Sequence, residues 1–406
     1  MSEPGMVIVG SGKAAARAVV GLREHGWKGS ITLVGEENHL PYDLPPLSKA
    51  AISSEEEPQP TLLLDESMLG SLGVERISGI AATAIDRAAK SVTLADGRRI
   101  PYAKLLVATG ARARKLNIPG GENARTLRSF EDSVALRAAF TPGRKIAIIG
   151  AGFIGLELAS SASKRGCAVT VIEAQPRILM RGVPQEISEV VAARHQAAGV
   201  TILTGVNIDR VEKDGVVLVG GRKIAADVVV AGIGAAPEVS LAQAAGLAID
   251  NGIACNALLQ TSDPDIFAAG DCCSFPHGIF GNRRLRLEAW RSAQDQGAVA
   301  AENMLGGGKA HETIPWFWSD QFELTLQIAG LPGDGASSVR RQVKEDAFIL
   351  FHLDGNGGLA GASGIGPGNT VARDIRLAEM LIAKRAAPTP AQLADPAFQL
   401  KALLRG

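Results

Sequence analysis

Residues 145–173, KIAIIGAGFIGLELASSASKRGCAVTVIE, constrain this chain more than any other stretch. The apolar run 146–149 has strand length. Gly150, Gly152 and Gly155 follow at once, and Leu156, Ala159, Ser160 and Ser163 then keep a helical spacing up to Gly166. A second apolar run, 168–172, ends in the carboxylate of Glu173. Strand, glycine turn, helix, strand and acid within one βαβ length form a dinucleotide-binding fingerprint. Gly150 permits the tight turn, Gly152 lets the backbone approach a pyrophosphate, and Gly155 lets the helix pack close to the strand. The phosphates would rest on the helix N-terminus, where free N–H groups and peptide dipoles favour negative charge. Glu173 is placed to accept from a ribose diol.

The start of the chain repeats this pattern. A strand at 6–10 runs into Gly10 and Gly12, Ala14 and Ala15 open a helix that reaches about Glu24, and a strand at 31–34 closes with Gly35, Glu36 and Glu37. Ala15 stands where a third glycine would be, a replacement the pattern tolerates. Two fingerprints imply two dinucleotides, and their duplication is more specific than either copy alone. The expected fold class is α/β, with two Rossmann-like domains.

At 406 residues the chain is long enough for two or three domains. Its formal net charge of zero provides no bulk field toward nucleic acid or anionic membrane. The opening residues lack the basic-then-apolar pattern of a secretory signal, and no apolar run reaches the roughly 18 residues of a membrane span. A cytoplasmic protein is therefore expected. Cys167, Cys255, Cys272 and Cys273 form neither a CxxC pair nor a disulfide framework, which agrees with reduced thiols in a core or turn role. The adjacent Cys272 and Cys273 and the six scattered histidines offer no spacing for an iron–sulfur cluster or zinc, so no metal site is expected.

Between and beyond the fingerprints, LPYDLPPLSK at 40–49 is too rich in proline for a regular helix, and Lys49 begins one at its end. SSEEEPQP at 53–60 reads as a solvated loop. Short strands are expected at 74–77, 82–85 and 91–94, and a buried strand at 105–108 ends in ATGA. Residues 112–126 look like a crossing between domains, and 130–139 is helical. After the second fingerprint come a helix at about 184–198 and strands at 200–203, 207–212, 216–219 and 222–225, read together as a crossover ribbon. A buried strand at 227–231 leads to Gly234, TSDPDIFAAGD at 261–271 reads as a strand ending in glycine and acid, and 289–305 is helical. PWFWSDQ at 315–321 is the densest aromatic cluster, followed by three or four strands, a helix at about 370–384 and a short terminal helix.

With both fingerprints, LPPLSK, ATGA, TSDPDIFAAGD and PWFWSDQ in this order, the chain resembles the FAD-dependent NADH:ferredoxin reductase components of bacterial Rieske ring-hydroxylating oxygenase systems. The similar putidaredoxin-reductase-like enzymes belong to the same family. The resemblance implies a glutathione-reductase-like plan: a FAD-binding domain at 1–110 and 235–312, an inserted NAD-binding domain at 111–234, and a C-terminal α+β domain at 313–406. It implies Gly10, Gly12 and Ala14 at the FAD phosphates, Glu36 at the adenosine ribose, Ala82 at the adenine end, Asp271 at the ribityl chain, Trp290 bordering the flavin ring, and Arg128 reaching the cofactor from the domain crossing. Gly150, Gly152, Gly155, Glu173 and Gly234 fall to NADH. Lys49 is expected beside the flavin and Glu157 near the nicotinamide. They come from different domains of the plan and are expected to pair as ions, in the two catalytic positions. Leu44 stands where many members carry arginine and others leucine.

The implied activity takes hydride from NADH onto FAD and passes single electrons to a separate two-iron, two-sulfur ferredoxin that feeds an oxygenase of aromatic hydrocarbon catabolism. The reductase itself would be a monomer or homodimer. Glu173 argues for NADH over NADPH, because a carboxylate accepts from a 2′-hydroxyl and repels a 2′-phosphate. Arg283, Arg284 and Arg286 form a basic run that is either a solvated face or a docking patch for an acidic ferredoxin. Trp316, Phe317 and Trp318 are either C-terminal core or the flavin's rim. A disulfide reductase needs a cysteine pair after the first fingerprint, and 36–60 contains no cysteine. The remaining alternatives are a rubredoxin reductase, which differs only in partner, and an apoptosis-inducing-factor-like NADH-binding flavoprotein.

Overall fold

The structure is a computed structural model that describes residues 4–405. The chain divides into two compact units. The first comprises the chain up to Asp43, Pro60–Arg112 and Ala236–Thr313. The second comprises Leu44–Gln59, Ala113–Ala235 and everything from Ile314 onward.

The first unit is built on a seven-stranded sheet. Val74–Ile77, Ile31–Val34, Gly5–Val9 and Arg99–Val107 lie side by side in parallel. Arg99–Val107 is long enough to serve two neighbours. Its first residues pair antiparallel with Ser91–Leu94, and Leu105, Leu106 and Val107 pair parallel with Ile266–Ala268. Only those last three residues form the expected strand within TSDPDIFAAGD, because Thr261 and Asp263 fold on each other in a side-chain-capped turn. Every residue of Gly5–Val9 and Ile31–Val34 is buried, as strands covered on both faces require. Helix Lys13–Glu24 turns Ala14, Ala15, Ala18, Val19 and Leu22 inward and packs along helix Trp290–Met304. The approach is close: a Cβ on Gly297 would lie 2.3 Å from the Ala14 carbonyl oxygen.

In the second unit, Thr201–Leu203, Ala168–Ile172, Lys145–Ile149 and Val228–Ala231 form a parallel sheet in that order. The expected four-stranded ribbon is therefore corrected. Thr201–Leu203 pairs parallel with Thr170–Ile172, and the ribbon keeps three antiparallel strands, Ile208–Glu212, Gly215–Leu218 and Lys223–Ala225. Ile202 is half-buried and packs against the core that holds its ladder partner Val171. The C-terminal part is a five-stranded antiparallel sheet in the order Trp316–Gln321, Leu324–Gly330, Leu359–Pro367, Ala347–Leu353, Ser337–Lys344. Helix Ala372–Ala383 covers it. A Cβ on Gly364 would sit 3.0 Å from Val371 and 3.1 Å from Ile375, so its absence lets the helix settle on the sheet.

Leu326, Ile328, Phe348, Leu350 and Ile365 from this sheet share one core with Leu156, Leu158, Ile187 and Ile52. Ile52 brings the LPPLSK segment into the unit. Pro45–Ser48 is a 3-10 turn and Ala50–Ser53 a single helical turn. Ser133 Oγ donates to the Leu47 carbonyl at 2.8 Å, Ser161 Oγ to the Ser48 carbonyl at 2.7 Å, and Arg137 to that of Ile52 at 3.0 Å. These donors stand in for the hydrogen bonds that a proline-broken segment cannot make within itself.

Candidate active site

Each unit presents a glycine turn between a buried strand and a helix. In the first, Gly10 has φ +116°, and a Cβ there would lie 2.1 Å from the Ala108 carbonyl oxygen. In the second, Gly150 has φ +101°, and its Cβ would lie 2.5 Å from that of Gly232. These two glycines are required by the fold. Gly12 and Gly152 differ: each is a helix N-cap with no side-chain cap, and a Cβ on either would meet nothing within 4 Å. Each helix thus starts with uncapped N–H groups facing open space that only a small residue leaves clear. That is what a pyrophosphate needs, and the residues present fit two dinucleotides. Gly155 serves packing, because its Cβ would lie 2.1 Å from the Gly150 carbonyl oxygen.

In the first unit Glu36 lies at the end of its strand, and Arg112 reaches its carboxylate at 3.1 Å while also pairing with Glu238. Ala14 is buried and faces Gly270 and the 290–304 helix. Gly270, φ +83°, donates to Gln296 Oε1 at 2.9 Å and sets Asp271 beyond the strand end. Ala82 opens the strand Ala82–Asp86. Trp290 is the first residue of its helix, and its indole Nε1 donates to Asp43 Oδ1 at 2.5 Å. The Lys13 ammonium sits 3.7 Å from the Trp290 ring centroid and 3.9 Å from Asp43. Burial lowers the Lys13 pKa, and Asp43 offsets part of that. Neither Lys13 nor Asp43 is marked by sequence alone; a lysine directly after the second glycine was the available signal.

In the second unit, Glu173 is fixed before any ligand arrives. Oε2 accepts from the Ala151 N–H at 2.7 Å and Oε1 from the Gln175 N–H at 2.8 Å. Gly234, φ +99°, has open space where a Cβ would be. Arg128 precedes helix Phe130–Ala139, and its backbone N–H donates to Asp132, the acid of a Ser129 capping box. Glu157 is 3% exposed, in the helix that follows the glycine turn. Lys49 Nζ lies 2.9 Å from its Oε2, and both residues belong to this unit. Ser48 Oγ donates to the same oxygen at 2.5 Å and Ser319 Oγ to Oε1 at 2.6 Å. Both serines lie inside motifs visible in the sequence, LPPLSK and PWFWSDQ, but nothing local marks them.

The aromatic cluster divides by strand alternation. Phe317 packs edge-on against Phe153, centroids 5.0 Å apart, whereas Trp316 and Trp318 stack on each other, half-buried, at 5.4 Å. In the basic run, Arg284 donates to the carbonyls of Cys255 and Ser274, and Arg286 pairs with Glu288 and donates to the Asp271 carbonyl. Both are committed within their own unit. Cys255, Cys272 and Cys273 are buried, and burial pushes the Cys272 thiol up to about 11, far from a reactive thiolate. Among the described residues no three His, Cys, Asp or Glu side chains cluster to hold a metal, and no helix is long and apolar enough to cross a membrane.

Two dinucleotide cradles on parallel sheets, with a lysine paired to a buried carboxylate beside the second, define a pyridine-nucleotide-dependent flavoprotein reductase. The pyridine nucleotide-disulphide oxidoreductase family model matches residues 4–297, and the reductase C-terminal model matches 316–404. Over 411 residues the chain is 40% identical to the ferredoxin–NAD(+) reductase component of the anthranilate 1,2-dioxygenase system of Burkholderia cepacia, covering all of both proteins. The ferredoxin reductase for the CYP199A2 system of Rhodopseudomonas palustris is 36% identical, with a TM-score of 0.93 over 98% of this chain and 99% of that one. The reductase in the covalent putidaredoxin reductase–putidaredoxin complex is 33% identical, with a TM-score of 0.93 over 100% and 99%. The chain belongs to the ferredoxin–NAD(+) reductase family of oxygenase systems.

Proposed function

We propose that the chain is the NADH-dependent, FAD-containing ferredoxin reductase of a bacterial oxygenase system, working in the cytoplasm. It takes hydride from NADH and delivers single electrons to a separate two-iron, two-sulfur ferredoxin. In this reading the first cradle holds FAD, with Gly10, Gly12 and Ala14 at the pyrophosphate, Glu36 at the ribose, Ala82 at the adenine end, Asp271 at the ribityl chain and Trp290 at the ring. The second holds NADH, with Gly150, Gly152, Gly155 and Gly234 at its phosphates and Glu173 at the adenosine ribose. FAD, when bound, supplies chemistry that accepts two electrons together and releases them one at a time.

The observation that carries the reading is the Lys49–Glu157 pair. Glu157 is a buried carboxylate in the same helix whose N-terminus bounds the phosphate site. Nicotinamide gains positive charge as hydride leaves, and a fixed carboxylate nearby stabilises that charge. Lys49 keeps the carboxylate compensated until then. Position is the larger part of what a hydride transfer between bound rings requires.

The deciding experiment mixes the purified holoprotein with NADH, a two-iron, two-sulfur ferredoxin and cytochrome c. Ferredoxin-dependent cytochrome reduction is expected. Reduction of ferricyanide by NADH with none through ferredoxin would sink the partner assignment, and substitution of rubredoxin in the same assay would show whether the partner is of that class.

A further inference from the structure

We infer that Ser319, contributed by the C-terminal sheet, is a positioning residue for Glu157. Together with Ser48 it holds the carboxylate's charge and orientation when Lys49 turns away. This rests on the reading that Glu157 stands at the nicotinamide.

Both oxygens of Glu157 are occupied, and by different elements. Oε2 accepts from Ser48 and Lys49, and Oε1 accepts from Ser319 at 2.6 Å. An ionised carboxylate can only accept, so both hydroxyls donate to it. Gln321 Nε2 in turn donates to Ser319 Oγ at 2.8 Å. That occupies the hydroxyl's acceptor side and leaves its single proton for Glu157.

The strand delivers this arrangement by alternation. Phe317, Ser319 and Gln321 share one face of Trp316–Gln321, and their partners across the ladder are Ile328, Leu326 and Leu324. All three partners belong to the apolar core of the unit. Ser319 is 1% exposed and Gln321 fully buried. Polar side chains on such a face are costly unless their hydrogen bonds are needed, and an apolar residue of similar size would pack there without that cost. Gln321 Oε1 still has no partner among the described residues, so packing stability does not explain the choice. The hydrogen bonds run in one direction, from Gln321 through Ser319 to Glu157.

Lys49 is the least fixed of the donors. Its side chain is 23% exposed, on a flexible four-carbon stem, whereas Ser48 and Ser319 are each 1% exposed. If the ammonium leaves during the cycle, a carboxylate with no other partner would be a lone buried charge, a strongly unfavourable state. Two hydroxyl donors on rigid elements keep Glu157 in one orientation throughout.

The test uses the FAD-loaded protein and the variants Ser319→Ala, Ser319→Thr, Glu157→Gln, Lys49→Met and the Ser319→Ala/Lys49→Met double. Stopped-flow reduction by NADH, calorimetric binding of NAD+ to the oxidised protein, and thermal midpoints are measured for each. Ser319→Ala should slow reduction about tenfold, the size expected for one hydrogen bond to a charged group, while the Kd for NAD+ rises less than about threefold. Ser319→Thr should restore the rate to within about twofold. In the double variant the losses in rate and in thermal midpoint should exceed the sum of the singles, because each donor substitutes for the other. If Ser319→Ala sheds FAD or unfolds, Ser319→Cys, a near isostere with a weak donor, carries the same expectation. A slow Glu157→Gln beside an unimpaired Ser319→Ala would overturn the positioning role and leave the Glu157 reading standing. An unimpaired Glu157→Gln would overturn both.

Discussion

The Lys49 ammonium rests 2.9 Å from Glu157 Oε2, and the carboxylate it meets is 3% exposed. A charge that deeply placed is sensitive to losing its partner. Lys49→Met keeps the aliphatic stem and removes only the charge. We expect stopped-flow flavin reduction by NADH to slow about a hundredfold, in the range found when a preorganised electrostatic donor is removed, with NADH affinity changed less than about threefold. Unchanged reduction would remove Lys49 from the chemistry.

In the proposed reading, Glu173 is the residue expected to set coenzyme choice. Its carboxylate is already held by the Ala151 and Gln175 N–H groups, so it meets a ribose as a fixed acceptor rather than a mobile one. The protein should prefer NADH over NADPH by about a hundredfold or more in kcat/KM. Glu173→Gln keeps one of the two acceptors the turn uses and removes the repulsion toward a 2′-phosphate, so the preference should narrow at least tenfold. Equal use of both coenzymes by the unaltered protein would contradict the assignment.

The two glycines of one turn separate stability from binding. Gly150→Ala places a Cβ 2.5 Å from the Gly232 carbonyl oxygen at φ +101°, and should cost about 2–4 kcal/mol of unfolding free energy. Gly152→Ala fills empty space at an ordinary φ of −80°, so stability should stay within about 0.5 kcal/mol. That same methyl occupies the approach to the helix N-terminus, and the KM for NADH should rise about tenfold or more. Denaturant titration and steady-state kinetics on the two variants check both halves.

Two buried histidines predict an acid weakness, one in each unit. Burial, aided by neighbouring His277, pushes His311 from the ordinary 6.5 down to about 3; burial alone takes His352 down to about 4. Above pH 6.5 neither the folded nor the unfolded chain binds the proton. Below it the unfolded chain takes up a proton that the folded chain refuses, so stability falls as pH drops toward those values. Each residue should remove about 1 kcal/mol between pH 7.5 and 5.5. Urea unfolding of the whole chain over this range should lose His311's share of that slope in His311→Phe, whose ring can keep the edge contact with Phe275, while buried His195 and His277, whose pKa values burial also lowers, keep theirs. An unchanged slope would mean that other groups govern the acid limb.

Both glycine turns are legible in the sequence because everything they require is local: an apolar run, glycines at fixed offsets, a helical stripe and an acid. The structure places Lys145–Ile149, Phe153–Lys164 and Ala168–Ile172 on those signals. Strand Thr201–Leu203 shows where local reading fails. Its three residues suit a ribbon or a parallel edge equally, and only the pairing with Thr170–Ile172, with Ile202 packed against the core, selects the second. The Glu157 site is legible in its charges but not in its hydroxyls. Lys and Glu are conspicuous beside prolines and glycines, whereas Ser48 and Ser319 acquire a role only when segments far apart in the chain fold against one helix.

Leu44–Gln59 departs from one unit and returns to it, and in between belongs to the other. The second unit is therefore not one continuous stretch of the chain. A chimaera that exchanges 111–234 with a relative's insert would leave Lys49 and Ser48 facing a foreign helix, even with both cradles intact. Exchange between relatives should succeed only when 44–59, the helix bearing Glu157 and the strand bearing Ser319 travel as one linkage group.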